Sequence, residues 1–143
     1  MRNVRIRFSK TGAAKYISHL DLMRCFSRAM VRAEIPLWYT EGFNPHPYMN
    51  FAMPLSLGME GMREVLDIRI VGDITNAELK ERLSNAVPDH LEIIEVYDPV
   101  EKASRIAFSK YRIEIEQNDM PDEKFSELFL LESEKDEIIL SKM

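Results

Sequence analysis

Apolar and polar side chains alternate from Asn3 to Ser9, with Val4, Ile6 and Phe8 on one side and Arg5 and Arg7 on the other. That period of two predicts a half-buried β-strand. After a loop over Lys10–Lys15, Ser18-His19-Leu20-Asp21 has the form of a capping box, with Ser18 placed to satisfy a free amide and Asp21 opposing the positive helix end. Apolar residues at helical spacing then predict a helix ending near Glu34, before Pro36. Its expected buried stripe is Leu20, Met23, Met30 and Val31, flanked by Phe26 and Ala33, and Arg24, Arg28 and Arg32 line a neighbouring face at i, i+4, i+8.

Leu37–Thr40 is a short β-prone run, and Glu41-Gly42-Phe43-Asn44-Pro45-His46-Pro47 follows as a loop whose glycine and prolines forbid a regular helix. Tyr48–Leu57 reads as a strand in which Pro54 marks an edge or a bulge. Gly58–Gly61 turns the chain, Val65–Val71 alternates as a strand, Asn76–Val87 has the helical pair Leu79 and Leu83 closed by Pro88, and Leu91–Val96 alternates again. The order βαββαβ predicts an α+β, ferredoxin-like domain over residues 1–98, an antiparallel sheet with two helices on one face. Residues 99–143 read as a connector and an incomplete second α+β unit, strand–helix–strand over Tyr111–Glu116, Asp122–Leu131 and Glu137–Leu140. Alone, that tail buries little surface, so its strands are expected to pair with the first domain, with a continuation of the unit or across a homodimer.

Charge sharpens this picture. The 143 residues carry a formal net charge of −5, but residues 1–72 hold 10 Lys and Arg against 6 Asp and Glu, and residues 73–143 hold 9 against 18. Within residues 1–33, eight cations face Asp21 alone, a local excess that attracts phosphates or an acidic protein face, unless it is simply solvated surface. No apolar run reaches the ~18 residues of a membrane span, and Met1-Arg2-Asn3-Val4-Arg5 lacks the apolar stretch of a signal peptide, so a cytoplasmic protein is expected. The single cysteine, Cys25, cannot supply a disulfide framework, a Cys-based zinc site or a self-contained iron–sulfur cluster.

Two histidines lie where the chain is unusual: His19 opens the first helix, and His46 sits between two prolines that stiffen its backbone. They are the candidate catalytic pair, proton donor and acceptor if they face one cleft. The competing account is that His19 serves the helix start and His46 pins its own loop. No HxH or cysteine pair completes a metal set, and no metal is expected. Trp38, Tyr39, Phe43, Tyr48 and Phe51 crowd beside the basic segment, as in single-stranded RNA binding, although aromatics on strands are more often core. The candidate substrate-binding residues are Arg5, Arg7, Lys10, Arg24, Arg28, Arg32, Gly42, Phe43, Asn44 and His46.

Four ordered motifs, R-I-R-F-S-K-T-G (Arg5–Gly12), Y-I-S-H-L-D-L (Tyr16–Leu22), E-G-F-N-P-H-P (Glu41–Pro47) and F-A-M-P-L-S-L-G (Phe51–Gly58), together resemble the radical-SAM-linked protein family of bacteria. The resemblance implies a companion role beside a radical SAM protein that also has a cobalamin-type domain. It also implies that S-adenosylmethionine and the iron–sulfur cluster belong to that partner, with no cofactor on this chain. A looser likeness, of fold only, is to the RAMP-type RNA-processing proteins. Three functional expectations follow: an accessory module presenting RNA or another anionic substrate, a metal-independent endoribonuclease using His19 and His46, and a protein–protein adaptor that binds no nucleic acid.

Overall fold

A computed structural model of the chain describes residues 1–112, 130–134 and 137–141. The first compact unit, Met1–Phe108, has the order β1 (Arg2–Lys10), α1 (His19–Arg32), β2 (Met49–Phe51), β3 (Gly61–Ile70), α2 (Asn76–Ser84) and β4 (Leu91–Tyr97). The sheet order is β2-β3-β1-β4, and every neighbouring pair is antiparallel. Each helix therefore connects strands that are not neighbours, which is the ferredoxin-like arrangement expected from the βαββαβ order.

Register fixes the two faces. Val4 opposes Ile68, Ile6 opposes Leu66 and Val96, and Phe8 opposes Ile93, so one face of the sheet is apolar up to Phe8, beyond which Glu64 and Lys10 share it. Leu22, Phe26, Ala29 and Met30 of α1 and Leu79 and Leu83 of α2 join that face in a single core. Phe8 and Phe26 meet at 4.8 Å between ring centroids, and Phe51 closes the cluster at 6.0 and 5.8 Å. Such edge-to-face pairs add about 0.5–1.5 kcal/mol each beyond the area they bury.

Capping sets where α1 begins. The Ser18 hydroxyl accepts from the Asp21 amide at 3.2 Å and donates to the Asp21 carboxylate at 2.7 Å, as the capping-box pattern predicts. The buried stripe differs from the one expected. Leu20 and Val31 are 64% and 62% exposed, and the core side is Leu22, Phe26, Ala29, Met30 and Ala33. Both stripes fit a 3.6-residue period, and the one beginning at Leu22 is the one that packs on the sheet, which leaves Leu20 and Val31 among the arginines.

The expected strand Tyr48–Leu57 is only Met49–Phe51, because pairing with β3 stops short of Pro54. Leu37–Thr40 makes two isolated bridges, Leu37 with Ile70 and Tyr39 with Pro47. The strand after the glycine turn starts earlier than expected, at Gly61, and the second helix stops at Ser84 before a turn to Val87. Beyond β4, Ala103 is buried and the Glu101 carbonyl accepts from Arg5, so residues 99–108 pack on the first unit.

In the second unit, 109–143, β5 (Leu130–Glu134) pairs antiparallel with β6 (Glu137–Ser141). The expected run Glu137–Leu140 is this β6. Tyr111 and Arg112 carry no regular structure, and Leu130 and Leu131 are strand rather than helix end. The rest of the expected strand Tyr111–Glu116 and helix Asp122–Leu131 lies outside the described residues. No helix among the described residues is long and apolar enough to cross a membrane.

Candidate nucleic-acid interface

Strand parity sends the cations of β1 to different places. Arg5 and Arg7 occupy odd positions and so lie on the sheet face away from the helices, where both are engaged. Arg5 is buried and grips Asp67 through two bonds, Nε to Oδ1 at 2.6 Å and Nη2 to Oδ2 at 2.8 Å, while Nη2 also donates to the Glu101 carbonyl at 2.9 Å. The hydrogen bond to the Asp67 carboxylate outweighs burial and raises the Arg5 pKa above its ordinary value. Arg7 pairs with Glu95 at 2.8 Å and lies over the Tyr97 ring at 5.4 Å.

Lys10 continues the even, inward face and is fully buried. Its Nζ donates to the carbonyls of Ile17 at 3.0 Å and Lys15 at 3.5 Å, just before the Ser18 cap, so it ties the end of β1 to the start of α1. Burial pushes its pKa down and that of Glu64, its nearest carboxylate influence, up. The glycine that ends this motif has a local cause. Gly12 sits at φ +52° with the His90 ring 2.6 Å from where a Cβ would stand.

The outer face of α1 carries a row of exposed cations. Arg24 pairs with Asp21 at 3.0 Å with both side chains more than half exposed, which contributes at most about 1 kcal/mol. Arg28 is exposed and makes no hydrogen bond or ion pair among the described residues. Arg32 donates to the Ala86 carbonyl at 2.6 Å. Arg32 also borders a shallow depression of about 440 Å³ with Arg82, Asn85 and Pro88. Arg82 there donates to Glu78 and to the Glu34 carbonyl, so these guanidiniums answer the negative ends of the two helices. Cys25, half-buried on α1, has its thiol pushed up by burial, against the smaller opposing effect of Arg32 and Arg28.

Residues 38–48 form an arm at the β2 edge. The Tyr48 amide donates to the Trp38 carbonyl at 3.1 Å and the Thr40 amide to the His46 carbonyl at 2.9 Å, leaving Glu41–Asn44 as the tip. Gly42 takes φ +129°, a conformation that side chains resist. Phe43 beside it is fully exposed. His46 Nδ1 lies 3.1 Å from Thr40 Oγ1 and 3.1 Å from the Asn44 carbonyl, and its amide donates to Thr40 Oγ1 at 3.2 Å. The ring of His19 instead packs edge-on against Phe51 at 5.2 Å. The two imidazoles share no hydrogen bond. Among the described residues no group of three or more His, Cys, Asp or Glu side chains could hold a metal ion.

Where the arm joins the sheet, Arg69 of β3 points to the face away from the helices, in the corner between two rings. Its Cζ lies 4.8 Å from the Trp38 centroid and 4.6 Å from that of Tyr48, and its Nε donates to Asn3 Oδ1 at 3.1 Å. Arg69 is absent from the residues chosen by sequence. The signal was its outward parity in Val65–Val71, but its two rings come from residues 38 and 48 and converge only through folding.

A family model matches residues 3–142, described as an uncharacterized protein conserved in bacteria (DUF2344). The chain belongs to this family. No curated protein and no solved structure matches the chain. The DUF2344 match spans both compact units, and with them all four motifs and the three arginines of α1.

Proposed function

We propose that this DUF2344 chain is an accessory binding module that presents an anionic polymer, single-stranded RNA, to a radical SAM enzyme. The observation that carries the reading is the outer face of α1, where Arg24, Arg28 and Arg32 stand exposed with Asp21 as the helix's sole acid. A cationic row attracts phosphates without regard to sequence, and the stiff arm offers Phe43, an exposed ring that can stack on any base. The radical SAM link is supported by the resemblance of the four motifs, three of which the fold explains locally: Lys10 and Gly12, the Ser18 cap, and the His46-tied arm. A module of this kind needs no reaction of its own. S-adenosylmethionine and the cluster then belong to the partner.

The test is fluorescence anisotropy of a labelled single-stranded RNA across a salt series. Three phosphate contacts predict a slope of about −2 in log K against log salt, roughly 20-fold weaker binding when salt rises fourfold. Replacing Arg24, Arg28 and Arg32 by glutamate is expected to abolish binding. Absent or salt-indifferent binding overturns the RNA reading. A complex with a radical SAM protein that survives nuclease treatment without RNA affinity points to a protein adaptor instead.

A further inference from the structure

We propose that Arg69, cupped by Trp38 and Tyr48, is a binding site for a phosphate group, and that on RNA it takes a backbone phosphate, a step that rests on the reading above. Three observations converge on it. The guanidinium is held in place: its Cζ lies 4.8 and 4.6 Å from the centroids of two rings inclined at 62° to each other, and its Nε donates to Asn3. Among the described residues its Nη1 and Nη2 edge has no hydrogen-bond partner, and no buried side-chain nitrogen or oxygen there lacks one, so that edge is not sealed in the interior. The nearest acid along the strand on this face, Asp67, has both oxygens on Arg5, and so does not neutralise Arg69. Across on β1 stands Asn3, which is uncharged.

A planar fork of N–H donors matches two oxygens of a phosphate, and the two ring contacts with the Asn3 bond hold the fork ready. Gluing the arm to the sheet would need only the ring contacts. It does not account for a charged edge left open and unpaired.

The test follows the Arg69 Nε–H and Trp38 indole N–H signals by NMR of the full chain during titration with inorganic phosphate, uridine monophosphate and oligouridylate, with sodium chloride of equal ionic strength as control. Saturable shifts with the phosphate compounds and none with chloride are expected. Arg69→Lys keeps the charge but loses the fork and is expected to weaken uridine monophosphate binding roughly tenfold or more. No shift at Arg69 in the folded wild-type chain overturns the proposal, as does unchanged binding by Arg69→Lys, or an equal response to sodium chloride. The wild-type titration decides even if the variant fails to fold. In the Arg24/Arg28/Arg32 glutamate variant, lost oligouridylate binding with a persisting Arg69 response to phosphate supports both sites. Retained oligouridylate binding there, lost in Arg69→Lys, removes the α1 reading and keeps this one. Phosphate shifts without any oligouridylate binding overturn the step to RNA.

Discussion

Consider removal of Asp67. Its carboxylate and the Arg5 guanidinium retain only 14% and 10% of their side-chain exposure, on the side of the sheet away from the helices. Asp67→Leu would leave that guanidinium with the Glu101 carbonyl and the Tyr97 hydroxyl, a charge taken from water without its counter-ion. Breaking a buried pair in this way costs about 3–5 kcal/mol, and the remaining carbonyl and hydroxyl place this case near about 3 kcal/mol. For a unit of this size that is a loss of about 12 °C in Tm. Arg5→Met on its own strands the carboxylate and should cost a similar amount. The double variant Arg5→Met/Asp67→Leu removes both charges together and should cost at least about 2 kcal/mol less than the two single losses combined. Urea unfolding followed by the fluorescence of Trp38, the single tryptophan, measures all three. Strictly additive single effects, or an Asp67→Leu loss under about 1 kcal/mol, would show that water reaches the pair and that the charges are not coupled.

Two further outcomes are specific. Phe43→Ala should leave stability within about 0.5 kcal/mol, because the ring is fully exposed, yet lower RNA affinity about tenfold if one base stacks on it; urea unfolding and anisotropy on the same samples separate these. Ser18→Ala should cost about 1 kcal/mol through the lost cap, and it should also flatten an acid response. The Ser18 hydroxyl first, then Arg24, holds the Asp21 carboxyl below its usual range. That contribution is complete above the ordinary aspartate pKa and disappears as pH falls through the lowered value, so the gap between wild type and variant should narrow at low pH to what the amide cap alone contributes. A gap that stays constant on acidification contradicts this coupling.

The element order was legible because neighbouring residues determine it. Val4, Ile6 and Phe8 declare a strand by parity, and Ser18 to Asp21 declare a helix start by hydrogen bonding that needs no distant partner. The phase of α1 was not, since Leu20 and Val31 satisfy the same period as Leu22 and Ala29, and only the sheet decides which stripe it covers. Lys10 looked like a surface cation; its burial depends on carbonyls five and seven residues further on, which turn back over it. Arg5 and Arg7 were visible as outward residues, but their partners Asp67 and Glu95 lie on other strands. The Arg69 corner was hidden for the same reason, as its rings lie more than twenty residues before it in sequence.

The brevity of β2 bears on how the molecule behaves in a crowded solution. A sheet that ends in a long flat strand offers its spare amides to any passing chain, and such borders seed fibres. This one ends in three residues, between the two prolines of the arm and Pro54. An incoming chain finds few donors on β2 with which to lengthen the sheet, so the same kinked border that projects Phe43 is a poor template for a neighbouring copy, and the open border is left to β4.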